Sequence, residues 1–330
     1  MDLRDLGEFG LINRIRKWMT ATDPAVVRGI GDDVAVVAMD RKALLITTDI
    51  LIEGVHFQRS WIDPYRLGKK SLTVNLSDIA SVGGTPRYFL ISLGLPTSLS
   101  FSFISSFYRG LRETANRFHV DLIGGDTSLS SKIIISICVL GEGKKRNLLY
   151  RSGARIGDRL FVSGTLGDAA LGLRILQKMG QGAGPKELVK KHLDPVPRLK
   201  LGQAIAEKGG ASAMIDVSDG LLIDTRHLLE ESKVGARIWE DRLPLSRLYR
   251  RWVSSCSNDP YRFALSGGED YELLFTVPSK NREKISAIAR SLKIPLTCIG
   301  EILSQKEGFR VLKKSGKAYS PSRLGFEHFR

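Results

Sequence analysis

The sequence predicts a mixed α/β protein of two domains. Short β-branched or aliphatic runs alternate with helical patterns along the whole chain, and neither a repeat of fixed period nor a low-complexity tract interrupts them. At 330 residues, 42% apolar and 26% charged, the chain can build two cores of ordinary size. In the first half, residues 33–38 and 43–49 read as two strands joined by Met39-Asp-Arg-Lys42 in a hairpin-like pair, with acids at their ends. Asp63-Pro64 then starts a helix, with a capping side chain and a proline in the first turn, and Gly83-Gly84 stops it, so Asn75 and Asp78 ride on that helix. Phe103, Phe107, Leu111, Ala115 and Phe118 recur at helical spacing and read as a packing stripe. Residues 120–126 form a strand entering a glycine turn, and residues 133–140 form another before Gly141-Glu-Gly-Lys-Lys-Arg146 breaks the pattern.

The domain boundary is therefore placed after residue 146, giving domains 1–146 and 147–330. The second half opens with a strand at 159–163, a turn at Gly164 and a helix over 166–179, and a further helix runs from Pro197 through Lys208. Residues 213–217 read as a strand that stops at Ser218-Asp219-Gly220, with Asp219 supplying the N-terminal acid of a helix over 221–232. A strand over 271–277, a helix over 281–292 and a few short strands complete the chain.

Composition narrows the function classes. Lys and Arg number 50 against 35 Asp and Glu, a formal net charge of +15. Residues 1–150 carry 19 basic and 15 acidic side chains, a net of +4, and residues 151–330 carry 31 and 20, a net of +11. Such an excess suits nucleic acid, an anionic surface or phosphorylated substrates, although runs such as 186–191 and 313–317 also read as solvated faces. No RNA-recognition, zinc-finger or helix-turn-helix pattern is present, so a nucleic-acid partner is not expected. The longest apolar candidates, residues 43–52 and 133–140, fall short of a membrane span, and residues 1–8 do not read as a secretory signal. A soluble, cytoplasmic protein without a membrane partner is expected. Cys138, Cys256 and Cys298 are far apart and read as packing residues rather than as a zinc or redox motif.

Acids placed at element ends carry the chemistry: Asp32 and Asp33 after Gly29-Ile-Gly31, Asp49 after Thr47-Thr48, Asp78 on its helix, Asp126 after Gly124-Gly125, and Asp216 with Asp219. Singly, each can be a cap or a turn residue. If four or more converge, their repulsion demands cations, and hard oxygen ligands without thiolate or imidazole point to magnesium and so to phosphate chemistry. The familiar phosphate loops are missing: there is no G-x-x-x-x-G-K-[ST], no completed G-x-G-x-x-G and no protein-kinase motif set. Five histidines leave few general bases, His56 being the most suggestive.

Seven segments in order make the pattern specific: Gly29-Ile-Gly-Asp-Asp33, Thr47-Thr-Asp49, Glu53-Gly-Val-His-Phe57, Asn75-Leu-Ser-Asp-Ile-Ala-Ser-Val-Gly-Gly84, Gly124-Gly-Asp-Thr127, Asp216-Val-Ser-Asp-Gly220 and Ser266-Gly-Gly-Glu-Asp-Tyr271. From about residue 28 to Gly325-Phe-Glu-His-Phe329 the chain resembles the thiamine-monophosphate kinase family, relatives of aminoimidazole ribonucleotide synthetase. The resemblance implies ATP-dependent phosphorylation of thiamine monophosphate, with several magnesium ions and ATP as co-substrate. It also implies a homodimer whose N-terminal sheets pair, and a cleft completed by the C-terminal domain. Carried over by position, Asp32, Thr47, Thr48, Asp49, Asp78, Asp126, Asp216 and Asp219 are the implied metal ligands. Tyr108, Gly125, Asp126, Arg151 and Ser218 are the implied ATP contacts, and His56, Glu269 and Phe326 the implied substrate contacts. Asp126, Arg151 and Asp216 are the implied catalytic set, whereas a role for Asp33 is not specified.

The chemistry fits independently of the resemblance. A substrate phosphate is already anionic near neutral pH and needs no base, so direct in-line transfer requires charge suppression rather than a catalytic histidine. Two alternatives stand beside this: another ATP user of the same superfamily, against which the Glu-Gly-Val-His-Phe segment argues, and a basic nucleic-acid-binding protein, motivated by the +15 charge alone.

Overall fold

The computed structural model describes residues 3–19, 21–180, 182, 184–321 and 324–328. It begins with α1 (Leu3–Trp18), broken at Gly7 by a left-handed φ of 66°. The first sheet collects β1 (Val26–Arg28), β2 (Ala35–Ala38) and β3 (Lys42–Ile52), then, after α2 (Pro64–Ser81), β4 (Thr85–Leu95), and after α3 (Phe101–Phe118), β5 (Asp121–Leu129) and β6 (Ile134–Lys144). Its strand order is β1-β2-β3-β6-β4-β5. The pairs are antiparallel except β4 with β5, where the crossover helix α3 returns the chain in the same direction. The expected hairpin is β2–β3, with Ala35 opposite Ile46.

The second half contains β7 (Arg159–Ser163), α4 (Asp168–Met179), α5 (Lys186–Leu193), α6 (Leu199–Lys208), β8 (Ala213–Val217), α7 (Leu221–Ser232) and β9 (Gly235–Trp239). It continues with α8 (Arg247–Trp252), α9 (Arg262–Ser266), β10 (Glu272–Val277), α10 (Arg282–Leu292), β11 (Leu296–Leu303) and β12 (Phe309–Leu312). The strands form one sheet in the order β12-β9-β11-β7-β10-β8. Mixed α/β architecture with two sheets is thus as the sequence predicts.

Helix α2 joins the halves. Asp63 caps it by accepting from the Arg66 amide at 2.9 Å, Pro64 fits the first turn, and the chain leaves it at Gly83, whose φ of 72° suits glycine. Its residues Leu67, Leu72, Leu76 and Ile79 are fully buried, in a core that also contains Leu45 and Val139 of the first sheet and Met214, Leu273, Phe275 and Val277 of the second. Close backbone approach holds it on two sides: a Cβ on Gly110 of α3 would lie 1.8 Å from the Tyr65 carbonyl oxygen, and one on Gly202 of α6 would lie 2.0 Å from that of Ala80. A second core lies under the opposite face of the second sheet, around Leu160, Val162, Ile215, Leu274 and Tyr249.

Four readings change. Strand β4 escapes sequence reasoning because Pro86 opens it with a register shift and Phe89, Leu90 and Ile91 mask its alternation. Helix α1 carries glycines and no apolar stripe. Gly220, not Asp219, stands at the N-cap of α7, and the acid that serves that turn is Asp224, whose Oδ2 accepts from the Asp219 and Gly220 amides at 3.2 and 3.0 Å. Cys138 lies on β6 as expected but is only half-buried. The α3 stripe buries Phe107, Leu111 and Ala115, and residues 313–317 are exposed. Among the described residues, no helix is long and apolar enough to cross a membrane.

Candidate active site

The acids converge where α2 passes between the two sheets. Helical spacing turns Ser71, Asn75 and Asp78 toward β3. Asn75 is fixed by donating to the Ser71 carbonyl at 3.2 Å, and its Oδ1 accepts from the Asp49 amide at 3.1 Å. Thr47 Oγ1 donates to Asp78 Oδ2 at 2.5 Å. One residue before Asp78, Ser77 reaches the other way and donates to Asp216 Oδ2 at 2.5 Å, tying α2 to the end of β8. Asp32 is reached by the Asp33 amide at 3.0 Å, and Asp33 in turn receives the Arg151 side chain, with Nε 2.8 Å from Oδ1 and Nη2 on the same oxygen.

The electrostatics follow from this proximity. Burial first, and then the charges of Asp49, Asp216 and Asp33, hold Asp78 well above the usual carboxylate range. Asp216 is raised to about 8 by burial and by Asp33, against hydrogen bonding from Ser77. Asp32 is raised to about 7 by burial and Asp33, Asp219 to about 7 by burial, Glu8 and Asp49, and Asp49 to about 6 by burial. Five carboxyls that resist ionisation in one cleft form a site that positive charge would relax. A second observation points the same way: Asp33 Oδ2 is buried with no hydrogen-bond partner. The donor set is all oxygen, which suits magnesium. Among the described residues, no group of three or more His, Cys, Asp or Glu side chains is yet drawn together tightly enough to hold an ion by itself.

A second cluster lines the adjoining wall. His56 Nδ1 accepts from the Ile52 amide at 3.0 Å, which leaves its proton on Nε2, 3.4 Å from Nε2 of His328. Burial, then His328, lowers the His56 pKa, while Glu269 acts in the opposite sense. Phe326 packs edge-on against His328, its amide donates to the Asp219 carbonyl at 2.9 Å, and the His328 amide donates to Glu8 of α1 at 2.9 Å. Glu269 adopts a left-handed φ of 68° and donates its amide to the Ser218 carbonyl at 2.7 Å, joining the two glycine-flanked loops. Its carboxylate stands 2.7 Å from Lys70 Nζ and 2.6 Å from His192 Nδ1. Burial alone would raise Glu269, yet Lys70 and His192 outweigh it and hold the carboxyl well below its usual range.

The structure thus gathers Asp32, Asp49, Asp78, Asp216 and Asp219, with Thr47 bonded into the group, and sets His56, Glu269, Phe326 and Ser218 beside them. Thr48 neighbours Asp49 on β3 but donates to the Ile137 carbonyl at 3.0 Å. Tyr108, Gly125 and Asp126 lie elsewhere. Asp126 pairs with Ser92, Ser92 with Ser136 and Ser136 with Ile50, so it is three strand spacings, about 14 Å, from β3. Gly125 touches β4 so closely that a Cβ would meet the Ile91 oxygen at 1.9 Å, and Tyr108 lines a cavity of about 610 Å³ between α3 and β5 with Phe101, Arg112 and Leu122. Sequence reasoning missed Lys70, Ser77, His192, Asp224 and His328. The seven-residue spacing of Lys70 and Ser77 on α2, which puts them on one face, was the available signal.

Residues 31–142 match the family "AIR synthase related protein, N-terminal domain", and residues 155–313 match "AIR synthase related protein, C-terminal domain". The chain is 39% identical over 331 residues to thiamine-monophosphate kinase of Aquifex aeolicus, covering 100% of each chain. It is 39% identical over 327 residues to the Escherichia coli (strain K12) enzyme of the same name, covering 98% of each. A solved structure of AaThiL complexed with AMPPCP and TMP superposes with a TM-score of 0.87 at 38% identity, covering 99% of each chain.

Proposed function

This chain belongs to the thiamine-monophosphate kinase family, and on that premise we propose how its residues divide the work. It is an ATP-dependent kinase that phosphorylates thiamine monophosphate to thiamine diphosphate. The observation that carries this reading to the residues is the convergence of Asp32, Asp49, Asp78, Asp216 and Asp219 beside the His56, Glu269 and Phe326 wall.

Magnesium would be held by Asp32, Thr47, Thr48, Asp49, Asp78, Asp126, Asp216 and Asp219, and when bound would offset the negative charge of the phosphates. The protein's own part is positional. Ser77, Asn75 and the Asp224 carboxylate fix the carboxylates and the 218–220 loop before any ligand arrives, and such preorganisation lowers the reorganisation needed at transfer. The acceptor oxygen is ionised already, so a neutral His56 with its proton on Nε2 serves as a donor that orients the substrate rather than as a base. Phe326, 46% exposed, offers a ring face to the cationic thiazolium, and the Glu269 loop positions Ser218 for the nucleotide. For Arg151 to contact the phosphates of ATP, its Nε and Nη2 would exchange Asp33 for them.

The displaced position of Asp126 supports the homodimer. β2 covers β3 only as far as Ile46, leaving residues 47–52 without a neighbouring strand on that side among the described residues, the Asp49 amide being taken by Asn75, and β5 is exposed along its whole length. A second copy presenting β5 to that edge brings its Gly125 and Asp126 toward Thr48 and Asp49. The dividing line after residue 146 leaves one sheet on each side, 1–146 carrying the pairing sheet and 147–330 the wall with Glu269. A cytoplasmic location accords with ATP as co-substrate. The test is direct: purified protein with ATP, magnesium and thiamine monophosphate yields thiamine diphosphate and ADP in equal amounts, whereas ADP release without thiamine diphosphate over a range of pH and salt would refute the assignment.

A further inference from the structure

Two arginines flank Asp32, and they are held differently. Arg151 is committed, with Nε and Nη2 both on Asp33 Oδ1. Arg28, the last residue of β1, makes only a long ion pair, its Nε 3.9 Å from Asp32 Oδ2, beyond hydrogen-bonding distance. Its guanidinium lies over the Tyr150 ring with Cζ 4.3 Å from the centroid, Nη2 donates to Ser152 Oγ at 3.2 Å, and Nη1 donates to the Val27 carbonyl at 3.1 Å. The side chain remains 39% exposed.

Stacking on Tyr150 fixes the plane of the guanidinium without consuming its in-plane N–H groups, and Ser152 and Val27 engage two of the five. A planar cation, oriented in advance, at the rim of a carboxylate cleft and with donors to spare is suited to a phosphate's oxygens. We propose that Arg28 is a further nucleotide-binding residue, which takes a phosphate of ATP at the Asp32 side of the cleft while Arg151 organises Asp33. This rests on the cleft being the ATP site. The chemistry selects the nucleotide over the second substrate because Arg28 lies on the Asp32–Tyr150 side, whereas the His56, Glu269 and Phe326 wall is formed around Lys70 and the C-terminal residues.

Full-length Arg28→Met and Arg28→Lys proteins test it through KM for each substrate, through the calorimetric Kd for AMPPCP with magnesium, and through melting temperature. Losing a charge-assisted contact should raise KM for ATP and Kd for AMPPCP in Arg28→Met by about 10- to 100-fold, leaving KM for thiamine monophosphate within about twofold. Arg28→Lys, which keeps the charge and loses the fork, should show a smaller rise in the same two quantities. ATP and AMPPCP constants unchanged within about twofold would overturn the proposal, as would equal rises in both substrates' KM with a lowered melting temperature, the signature of a structural tie between β1 and residues 150–152. If Arg28→Met does not fold, the split measured on Arg28→Lys decides. A wild-type protein that binds AMPPCP but makes no thiamine diphosphate would sink the kinase assignment and leave Arg28 to be judged on Kd alone, whereas an active wild type with indifferent variants sinks only this inference.

Discussion

Replacing Lys70 by Met is the sharpest test of the wall that holds Glu269. Lys70 is 1% exposed on α2, and Met keeps the length of its stem, so packing changes little and charge changes by one. The loss leaves Glu269 facing His192 alone. Breaking a buried pair costs about 3–5 kcal/mol, and because 24% of the Glu269 side chain is exposed the expectation is the lower end, about 3 kcal/mol. The cost depends on pH. In the native protein, burial and then Lys70 hold His192 below its usual value, while Glu269, held low, contributes stability that is present above the ordinary carboxylate range and lost only as pH falls through its depressed value. Without Lys70, the pull of Glu269 on His192 is no longer opposed, so the histidine's pKa rises from its native position although burial still lowers it, and the variant regains stability as pH falls through that higher value. The penalty should therefore be full at about pH 8.5 and smaller at about pH 6. Urea denaturation at the two pH values measures it, and the Lys70→Met/Glu269→Gln double variant should recover most of the loss because no orphan charge remains. A penalty under about 1 kcal/mol at the higher pH, or no recovery in the double variant, would refute the reasoning.

Other expectations follow from the same geometry. Ser77→Ala removes the donor to Asp216 and should lower stability by about 1 kcal/mol and raise the magnesium concentration needed for half-maximal turnover, both readable without loss of fold. Gly110→Ala places a methyl against the Tyr65 carbonyl and should destabilise by about 3 kcal/mol in denaturant titration; a neutral outcome would mean α2 and α3 can separate freely. The metal-free protein should lose stability as pH rises from about 4 to about 8, because Asp32, Asp216 and Asp219 keep protons in the folded state that the unfolded chain has released, and magnesium should abolish the loss. Asp49→Asn and Asp126→Asn should each be inactive alone but regain activity on mixing if a site takes these residues from two copies, since one of the two sites is then intact; no regain places both in one subunit.

What was legible in the sequence was local. Asp63-Pro64 and Gly83 announced both ends of α2, the 213–217 and 221–232 elements fell within their expected bounds, and acids at element ends foretold a charged cleft. What was hidden was tertiary. Lys69 and Lys70 look alike in sequence, yet Lys69 pairs with Asp194 near the surface and Lys70 is buried on Glu269. Asp33 had no assigned role because its partner, Arg151, lies 118 residues away. The order of the motifs could not say that Asp126 sits on an edge strand apart from the other acids, since sheet order depends on crossovers rather than on sequence neighbours.

Helix α2 has a mechanical consequence. Swinging the two halves apart would pull Ser77 from Asp216, Lys70 from Glu269 and Lys69 from Asp194, and would lift Gly202 off Ala80, all at once. A cleft whose central rod is gripped by both lobes cannot breathe as a clam shell. Residues 324–328 are held separately from that rod, the Phe326 amide on the Asp219 carbonyl and the His328 amide on Glu8 of the first helix. Isotope exchange at the amides of residues 324–328, set against those of α2, would show whether this segment opens while the rod stays closed.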